Sequence, residues 1–468
     1  MRMSSGCLTR WKCRTSTEMP SNIEISALSV NSALDSPKLE VMNFLNEIAN
    51  QYPEAISFAP GRPHESHFEV SNSLEYIAVY ARSQLNGESP ACSDAYAALG
   101  QYGRTNGMIG TLIANMLRND EGIAVESDDI VVTVGCQEAM CICLLTLCGN
   151  LGDVVLVPDP AYVGISGAAR VLGIEVVPVS CTDDGIDMSA MEHTVSELRR
   201  AGKCARLLYL SPDFANPTGT TISQSQRESL IAFTRSLGIV IVEDHAYNYF
   251  QYDGTRIPAM KCAADSDHVI YLGSFSKSVY PGLRLGFIAT TIHISTANGT
   301  TKPLALEFSK VKSMLTVNTS PLCQAIVGGL LLSNGCSLKQ YVAPKVQKLQ
   351  ESRDAMLAAL AQYFPLSEQW CAGISWNKPA GGFFLCLKLP FMVTSEDLAR
   401  SAKEYGVLWT PMAYFFLHQS TSNEIRLAFS YVTTEQIQRG IGALARMVKQ
   451  RLFELSFSDQ ELAATHNG

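Results

Sequence analysis

An alternation of short strands and helices between residues 102 and 288 most constrains how this chain can fold. Apolar, β-branched runs predict strands at Asp129–Val134, Val154–Val157, Val176–Val179, Leu207–Leu210, Ile239–Val242 and Val269–Leu272. Helical periodicity predicts intervening helices at Gln137–Leu147, Ile165–Leu172, Ser189–Ala201 and Ser223–Leu237. Continuous apolar runs of this length are typical of strands covered on both faces. The order predicts right-handed crossovers, and therefore an α/β fold with a mainly parallel sheet.

After Pro321 the pattern becomes that of a smaller α+β domain. Helices are predicted at Leu322–Ser333, Ser337–Tyr363, Ser395–Glu404 and Thr434–Leu452, and strands at Ser375–Asn377 and Phe383–Lys388. We therefore predict five parts along the chain. They are a disordered N-terminal extension (1–25), a segment packing with the small domain (26–85), a large domain (86–320), a small C-terminal domain (321–455) and a tail (456–468).

Composition excludes several classes of protein. Among the 468 residues 47% are hydrophobic and 17% charged, so the chain can bury a large core and is not disordered by composition. The net charge of -8 and the lack of a basic run argue against a nucleic-acid partner. No apolar run reaches the ~20 residues of a membrane helix, so no membrane partner is expected.

The 14 cysteines occur without a secretory signal, which favours reduced, buried thiols in a cytoplasmic protein over disulfides or a metal site. The first residues carry Arg2, Arg10, Lys12 and Arg14 before any acid. A targeting segment, a disordered tail and a true start at Met19 all remain open for this region.

Residues that could bind a ligand or take part in catalysis follow three of the predicted strands, at the edge where ligands bind in open α/β sheets. Gly135-Cys136-Gln137 leads into a helix, and the free backbone N–H groups of such a turn suit a phosphate. Asp244 comes after the predicted strand Ile239–Val242, where it could cap a helix or hold a cationic ring nitrogen. Lys277 comes after the predicted strand Val269–Leu272, among residues with small hydroxyl side chains. Desolvation at this place would lower the pKa of its amine and make it nucleophilic. Arg284, flanked by Gly282 and Gly286, could bind a phosphate through two N–H groups.

The run SFSKSVYPGLRLGFI (274–288) resembles the cofactor-lysine signature of the class I/II aminotransferases, which are pyridoxal-5′-phosphate (PLP) enzymes of fold type I. Five further elements of that family follow the family's order: Gln101-Tyr102-Gly103, Asp159-Pro160-Ala161-Tyr162, Ser211–Gly219, Asp244 with Tyr247, and Asn423–Leu427. The similarity extends from about Ile56 to Met447. It implies a seven-stranded type of sheet in the large domain.

The resemblance also assigns roles to individual residues. Lys277 would bind the cofactor covalently and move the substrate's proton, and Asp244 would pair with the pyridine nitrogen. Tyr247 and Asn216 would hydrogen-bond the ring oxygen, and Tyr162 would stack on the ring, unless it is simply a core tyrosine. The phosphate would be held by Gly135, Cys136, Gln137, Ser274, Ser276 and Arg284.

Substrate and partner assignments follow in the same way. Arg426 would bind the substrate carboxylate, with Gly61 and Asn216 beside it. Tyr102 would reach the phosphate in a neighbouring subunit, which implies a homodimer with shared active sites. The Asn216-Pro217 bond is expected to be cis, as in relatives. No metal is expected.

Three positions depart from the family pattern. Cys136 replaces a small polar residue, although backbone donation survives this change. His245 stands where small or acidic residues are common, and is either a second proton-transfer group or a packed histidine. Arg62 replaces an apolar residue in the segment over the substrate. It would meet an acidic or hydroxylated substrate side chain, or lie on the surface.

The sequence therefore predicts an aminotransferase that moves an amino group between an amino acid and a 2-oxo acid by a ping-pong mechanism. The segments SFAPGRP, PDFANPTG and PAGGFFLCLKLP resemble the 2-aminoadipate and aromatic branch of the family. A PLP-dependent lyase or cyclase of amino-acid or natural-product biosynthesis is an alternative, because fold does not fix the reaction. A PLP-sensing regulator is disfavoured by the short, weakly basic N-terminal region.

Overall fold

The computed structural model describes residues 30–85, 92–182 and 185–466, so the extension predicted for 1–25 lies outside the described residues. The helices are α1 (Pro37–Gln51), α2 (Ser73–Ser83), α3 (Cys92–Leu99), α4 (Gly110–Glu121), α5 (Gly135–Leu147), α6 (Val163–Val171), α7 (Met188–Arg200), α8 (Gln224–Leu237), α9 (Phe275–Ser278), α10 (Leu304–Leu315), α11 (Pro321–Ser333), α12 (Lys339–Tyr363), α13 (Ser395–Tyr405) and α14 (Thr434–His466). The strands are β1 (Ile56–Ser57), β2 (Ile130–Thr133), β3 (Asp153–Asp159), β4 (Glu175–Thr182), β5 (Gly185–Ile186), β6 (Cys204–Leu210), β7 (Val240–His245), β8 (Val269–Ser274), β9 (Gly286–Ala289), β10 (His293–Ser295), β11 (Thr301–Pro303), β12 (Ser375–Trp376), β13 (Phe384–Val393), β14 (Val407–Leu408), β15 (Thr410–Pro411) and β16 (Ser422–Ala428).

A sheet with the strand order β2-β9-β8-β7-β6-β3-β4-β5 forms the large part of the molecule. The pairs from β8 through to β4 are all parallel, which confirms the mainly parallel sheet. Strand β9 runs antiparallel to both of its neighbours. The two-residue β5 adds an eighth, antiparallel strand at the edge, beyond the seven that the resemblance implies.

The central strands are apolar on both faces because helices cover both. In β3, Val155 and Val157 join an apolar cluster with residues of α5 and α6. Val154 and Leu156 point the other way, into a cluster with residues of α7 and α8. Each such side chain contributes about 2 kcal/mol by leaving water, so the order of strands and helices is firmly set by burial.

The helix that precedes β7 has well-defined ends. The Ser223 side chain accepts a hydrogen bond from the Gln226 N–H at the start of α8. Gly238, with φ of 69°, ends the helix in the left-handed conformation that glycine adopts without strain. These ends fix where β7 begins, and β7 carries Asp244 at its far end.

The small domain has an antiparallel sheet in the order β12-β13-β16-β15. Its apolar cluster combines this sheet with α12, α13 and α14, and it also buries Phe58 and Ala59 from the N-terminal segment. Strand β1 pairs in parallel with β14, which fastens that segment to the small domain. Helix α14 continues to His466, through most of the predicted tail.

Helix α11 lies close to α2 and shares a cluster with the large sheet, which includes Tyr80, Phe287 and Leu331. The close approach requires glycine, because a Cβ on Gly329 would lie 1.9 Å from the Tyr76 carbonyl oxygen. The domain boundary between residues 320 and 321 stays a prediction. No helix within the described ranges combines the length and the apolar character that crossing a membrane requires.

The carboxyl ends of β6, β7 and β8 lie side by side. Leu210 pairs with Glu243, and His245 pairs with Gly273. This edge faces β16 of the small domain, where Arg426 donates a hydrogen bond to the Asn216 side chain. Residues that follow the parallel strands are thereby gathered between the two domains.

Candidate active site

A cavity of about 440 Å³ lies between that edge and the small domain. It is lined by every predicted site residue except Tyr102 and Gly135: Gly61, Cys136, Gln137, Tyr162, Asn216, Asp244, Tyr247, Ser274, Ser276, Lys277, Arg284 and Arg426. The other lining residues are Met42, Pro60, Arg62, Met140, Tyr209, Ser211, Ala246 and Pro281. Residues from distant parts of the sequence therefore share one enclosed space.

Lys277 lies in the one-turn helix α9, directly after β8. Its Nζ donates a hydrogen bond of 2.8 Å to the Gly61 carbonyl oxygen, in the N-terminal segment. Burial, together with the guanidinium groups of Arg284 and Arg426, lowers the pKa of the Lys277 amine to about 8. About a tenth of this amine is therefore neutral and nucleophilic at pH 7, far more than for a lysine of ordinary pKa.

Asp244 is fully buried in the cavity wall. Its Oδ2 accepts a hydrogen bond of 2.8 Å from the Tyr209 hydroxyl, while its Oδ1 has no hydrogen-bond partner among the described residues. Burial raises the pKa of Asp244 above its usual range, and the Tyr209 hydrogen bond and the charges of His245 and Lys277 oppose this rise. An unpartnered buried carboxylate oxygen is costly unless a donor reaches it, so this site is suited to a cationic N–H.

Donors for an anion surround the start of α5. Arg284 Nη1 donates to Ser276 Oγ at 3.4 Å, and the Ser274 side chain caps α9 by accepting from the Ser276 N–H. A Cβ on Gly135 would lie 2.6 Å from Arg284 Nη2, so glycine gives the guanidinium its room. Arg284 itself has a φ of 47°, a strained conformation for a residue with a side chain. Strain of this kind persists only where the surrounding structure holds the backbone in place, so the fold fixes the backbone at Arg284.

One wall of the cavity is formed by Tyr162, the residue that precedes α6. Its ring lies against Gly164, where a Cβ would be 2.2 Å from Cε1 of Tyr162. Gln137 donates a hydrogen bond of 2.9 Å to the Gly164 carbonyl oxygen and so ties α5 to this turn. Tyr162 therefore presents its ring at a fixed place beside the cavity.

Tyr247 follows β7 of the large sheet and lies near Asn216, where the cavity meets the small domain. Its ring packs edge-on against Phe383 and Phe384, with centroid distances of 5.1 and 5.6 Å. Burial raises the pKa of the Tyr247 hydroxyl, which keeps this group a neutral donor. The Asn216-Pro217 peptide bond is cis, which confirms that expectation.

Arg426 forms a buried clamp on the small-domain side. Its Nη1 donates to Asn216 Oδ1 at 2.7 Å and its Nη2 to the Ala59 carbonyl oxygen at 2.6 Å, while its Nε has no partner in the described part of the chain. The guanidinium lies 4.4 Å from the centre of the Phe384 ring. Because this cation has no buried carboxylate partner among the described residues, it is suited to a carboxylate ligand.

Two predicted site residues do not line the cavity. Tyr102 is 79% exposed. Gly135 is the first residue of α5, and its lack of a side chain leaves room for the Arg284 guanidinium. The roles predicted for both residues stay predictions.

Tyr209 and Ser211 were not predicted as site residues. Tyr209 sits in the apolar run LLYL of β6, which looks like core, but its hydroxyl reaches Asp244. Ser211 donates a hydrogen bond of 3.1 Å to the Asp244 carbonyl oxygen. A polar atom within a buried strand is the one signal that could have identified Tyr209, because it requires a partner.

His245 is buried on the other face of β7 and does not line the cavity. This placement does not support its use as a second proton-transfer group. Within the described ranges no cluster of three or more His, Cys, Asp or Glu side chains could hold a metal ion.

Comparison with known protein families gives a match over most of the chain. The family model for aminotransferases of class I and II matches residues 98–444. The (S)-3,5-dihydroxyphenylglycine transaminase of Amycolatopsis orientalis is 39% identical over 435 residues, covering 92% of this chain and 96% of the relative. Aromatic-amino-acid aminotransferase 1 of Thermococcus litoralis is 31% identical over 405 residues, covering 85% of this chain and 89% of the relative.

A solved structure is also similar over nearly its whole length. It is the α-aminoadipate aminotransferase of Thermus thermophilus, in complex with N-(5′-phosphopyridoxyl)-L-leucine. The TM-score is 0.72 at 27% sequence identity, with 87% of this chain and 95% of the other covered. The similarity therefore extends to a relative whose bound ligand is a cofactor–amino acid adduct.

Proposed function

Because this chain belongs to the class I and II aminotransferases and is a transaminase, we propose that it works with PLP held on Lys277. The family is PLP-dependent. One observation carries the proposal for this chain: the lowered-pKa amine of Lys277 shares a cavity with the unpartnered Oδ1 of Asp244. A nucleophilic amine and an orphaned buried carboxylate are the two groups that a PLP site needs.

The residues present fit the cofactor at four points: its ring nitrogen, its phosphate, a face of its ring and the ring oxygen. Asp244 Oδ1 would accept a hydrogen bond from the protonated pyridine nitrogen and so gain the donor that it lacks. Ser274, Ser276 and Arg284, with the N–H groups at the start of α5, would hold the phosphate. Tyr162 would cover a face of the ring, and Asn216 and Tyr247 would donate to its oxygen.

When bound, PLP supplies an electron sink that makes the proton on the α-carbon of the substrate acidic. Lys277 Nζ takes that proton, since its lowered pKa leaves it able to act as a base. Arg426 binds the substrate carboxylate and so fixes which bond of the α-carbon faces Lys277. The burial of Lys277, Asp244 and Arg426 strengthens these charge contacts, because less water surrounds them than at the surface.

For the substrate we propose an amino donor whose side chain carries a phenolic hydroxyl or a carboxylate. Arg62 lines the cavity, and its guanidinium lies 4.4 Å from the centre of the Tyr431 ring. Its Nε is buried with no hydrogen-bond partner among the residues that the structure describes. The relatives named above act on dihydroxyphenylglycine, aromatic amino acids and α-aminoadipate, whose side chains fit such a cation.

We also propose a homodimer in which Tyr102 reaches the phosphate of the partner's cofactor. The support is its 79% exposure and its absence from the lining of its own cavity. A cytoplasmic location is proposed as well, because the cysteines whose side chains the structure describes are free thiols.

A substrate panel tests the function. Purified protein with PLP would receive 2-oxoglutarate and, in turn, 3,5-dihydroxyphenylglycine, tyrosine, 2-aminoadipate, phenylalanine or leucine. We expect glutamate and the matching 2-oxo acid in equal amounts, with the hydroxylated or acidic donors preferred. Product formed from a donor without any 2-oxo acid would support the lyase or cyclase alternative instead.

The variant Arg62→Gln tests the proposed substrate class. We expect kcat/KM to fall about 10-fold for tyrosine and 2-aminoadipate, because one charge-assisted hydrogen bond is lost. For phenylalanine the change should be much smaller. The matched control is Arg82→Gln, since Arg82 is exposed on α2 and outside the cavity. An equal loss for all donors would show that Arg62 does not select the side chain.

A further inference from the structure

Strand β7 ends with three ionisable residues in a row, and they divide between its two faces. Asp244 points into the cavity. Glu243 and His245 point together to the opposite side, as residues two apart on a strand do. Both of these side chains are fully buried, with relative exposures of 0%. A histidine so deep in a core requires partners for both ring nitrogens.

The two ring nitrogens of His245 each face a carboxylate. Nε2 lies 3.1 Å from Glu243 Oε2, and Nδ1 lies 3.4 Å from Asp213 Oδ2. Neither ring nitrogen makes a hydrogen bond in this geometry, so the two contacts are charge contacts at short distance. Only the ring that carries both protons presents an N–H to each carboxylate. Two facing negative charges favour this positively charged form of the ring.

Other charged and titratable groups around the His245 ring contribute to the balance of charge there. Asp213 forms an ion pair with the buried Arg227 of α8, and Glu243 accepts the backbone N–H groups of Met260 and Lys261. The Tyr271 ring of β8 stacks on His245 at 4.4 Å. Burial lowers the pKa of His245, but Glu243 and Asp213 outweigh it and raise that pKa to about 9.

With His245 charged, the four groups joined by these contacts, Asp213, Glu243, Arg227 and His245, sum to zero, and the buried Lys261 ammonium also attracts Glu243. With a neutral ring, the same four groups would carry a net negative charge behind Asp244, whose own carboxylate is already buried. Like charges in a poorly solvated region disfavour each other's ionisation. A neutral Asp244 would not attract a protonated ring nitrogen.

We propose that His245 is a positioning residue for the transamination reaction: as an imidazolium held between Glu243 and Asp213, it keeps Asp244 ionised for the pyridine nitrogen. The inference rests on the proposed PLP site. Asp213 also precedes Asn216 by three residues, so the same ion pair fastens the loop that carries Asn216 to β7.

The charge state can be measured directly in the protein without cofactor. Nitrogen-15 NMR of the histidine rings at about pH 8, above the ordinary histidine pKa, should show one ring with both nitrogens protonated. The variant His245→Gln identifies that signal by its loss. A neutral ring at position 245 at that pH would overturn the proposal, whatever the activity of the enzyme.

Two variants then test the link to Asp244. His245→Gln removes the cation, and we expect PLP to bind the apoprotein about 10-fold more weakly and kcat to fall on the order of 10-fold. The double variant His245→Gln with Glu243→Gln restores charge balance and should recover much of both losses. A purely structural role predicts the opposite, because the double variant changes more of the core.

The control is His268→Gln, since His268 contacts Thr234 beside the same sheet but does not line the cavity. It should leave both values unchanged. A double variant no better than His245→Gln would contradict the proposal. If the wild-type protein binds no PLP, the proposed function is wrong. If the wild-type protein transaminates and the His245→Gln variant has the same PLP affinity and kcat, only the inference about His245 is wrong.

Discussion

The two sides of the cavity are built in different ways. On the large-sheet side, the groups that face the proposed cofactor come from short stretches at the ends of strands, such as Asp244 in β7 and Lys277 after β8. On the small-domain side, Arg426 is held by Ala59, which lies 367 positions earlier, and by Asn216, which lies 210 positions earlier. One side is therefore local in sequence, while the other depends on how distant segments pack.

The contrast suggests a division of labour. Changes on the large-sheet side should affect retention of the cofactor, because most of its proposed contacts lie there. Changes on the small-domain side should affect the amino donor while the cofactor stays bound. The four predictions below test this division, from the largest expected effect to the smallest.

Replacement of Lys277 by alanine should abolish steady-state transamination, because no other lysine among the described residues lines the cavity. The absorbance band of lysine-bound cofactor should disappear as well. Absorbance spectra and a coupled assay of glutamate formation measure the two effects, with exposed Lys310→Ala as the control. Retained turnover in Lys277→Ala would rule out the assignment of this residue.

Exchange of each arginine for lysine should separate the two sides. Arg426→Lys loses the planar fork that suits a carboxylate, so kcat/KM for the donor should fall on the order of 100-fold with unchanged PLP affinity. Arg284→Lys should instead weaken PLP binding by about 10-fold. Titration of the apoprotein and steady-state kinetics give both values. If both variants lost PLP affinity and kcat/KM to the same extent, the two sides of the cavity would not have separate roles.

Alanine at Gly61 should disturb the substrate side alone. Its Cβ would lie 2.3 Å from Cζ of Phe384, and the Phe384 ring lies against the Arg426 guanidinium. We expect kcat/KM to fall about 10-fold as these groups shift, with PLP affinity retained. Adding Phe384→Leu should make room and recover part of the loss. A loss of PLP affinity instead would show that the N-terminal segment also shapes the cofactor side.

The smallest effect concerns pH. The neutral amine of Lys277 is the reactive form, so the rate of PLP binding to the apoprotein should rise with pH with a midpoint near pH 8. The Arg62 cation is one of the charges that lower this pKa. Arg62→Gln should therefore move the midpoint slightly upward. Stopped-flow absorbance measures it, and a midpoint at the ordinary lysine value would contradict the lowered pKa.

The same contrast explains how far the sequence could predict the structure. Strand and helix order followed from apolar runs, and Asp244, Lys277 and Arg284 were proposed from their places near strand ends. The roles proposed for Tyr162, Asn216 and Tyr247 came from the family resemblance alone. On the substrate side, the role of Arg426 was proposed only from the family resemblance. The hydrogen bond from the Tyr209 hydroxyl to Asp244 was not predicted. Local pattern does not reveal which polar atom of a buried strand meets which distant partner.

Helix α11 shows the same limit for the fold. Periodicity predicted a helix at Leu322–Ser333, but periodicity cannot say which core a helix joins. Two adjacent glycines let it lie directly on α2, and that close contact gives it a place beside the large sheet. The charge network behind Asp244 was hidden for a similar reason, since Asp213 and His245 are 32 positions apart in sequence.

Arg62 belongs to the N-terminal segment and packs on Tyr431, which follows β16, rather than on the strand ends that carry Asp244 and Lys277. A change at this position leaves the strand ends that carry Asp244 and Lys277 in place and shifts the pKa of Lys277 only slightly. New amino donors can therefore be acquired through this segment. For a biocatalyst designer, saturation mutagenesis at position 62 is accordingly the most direct entry to a changed product range.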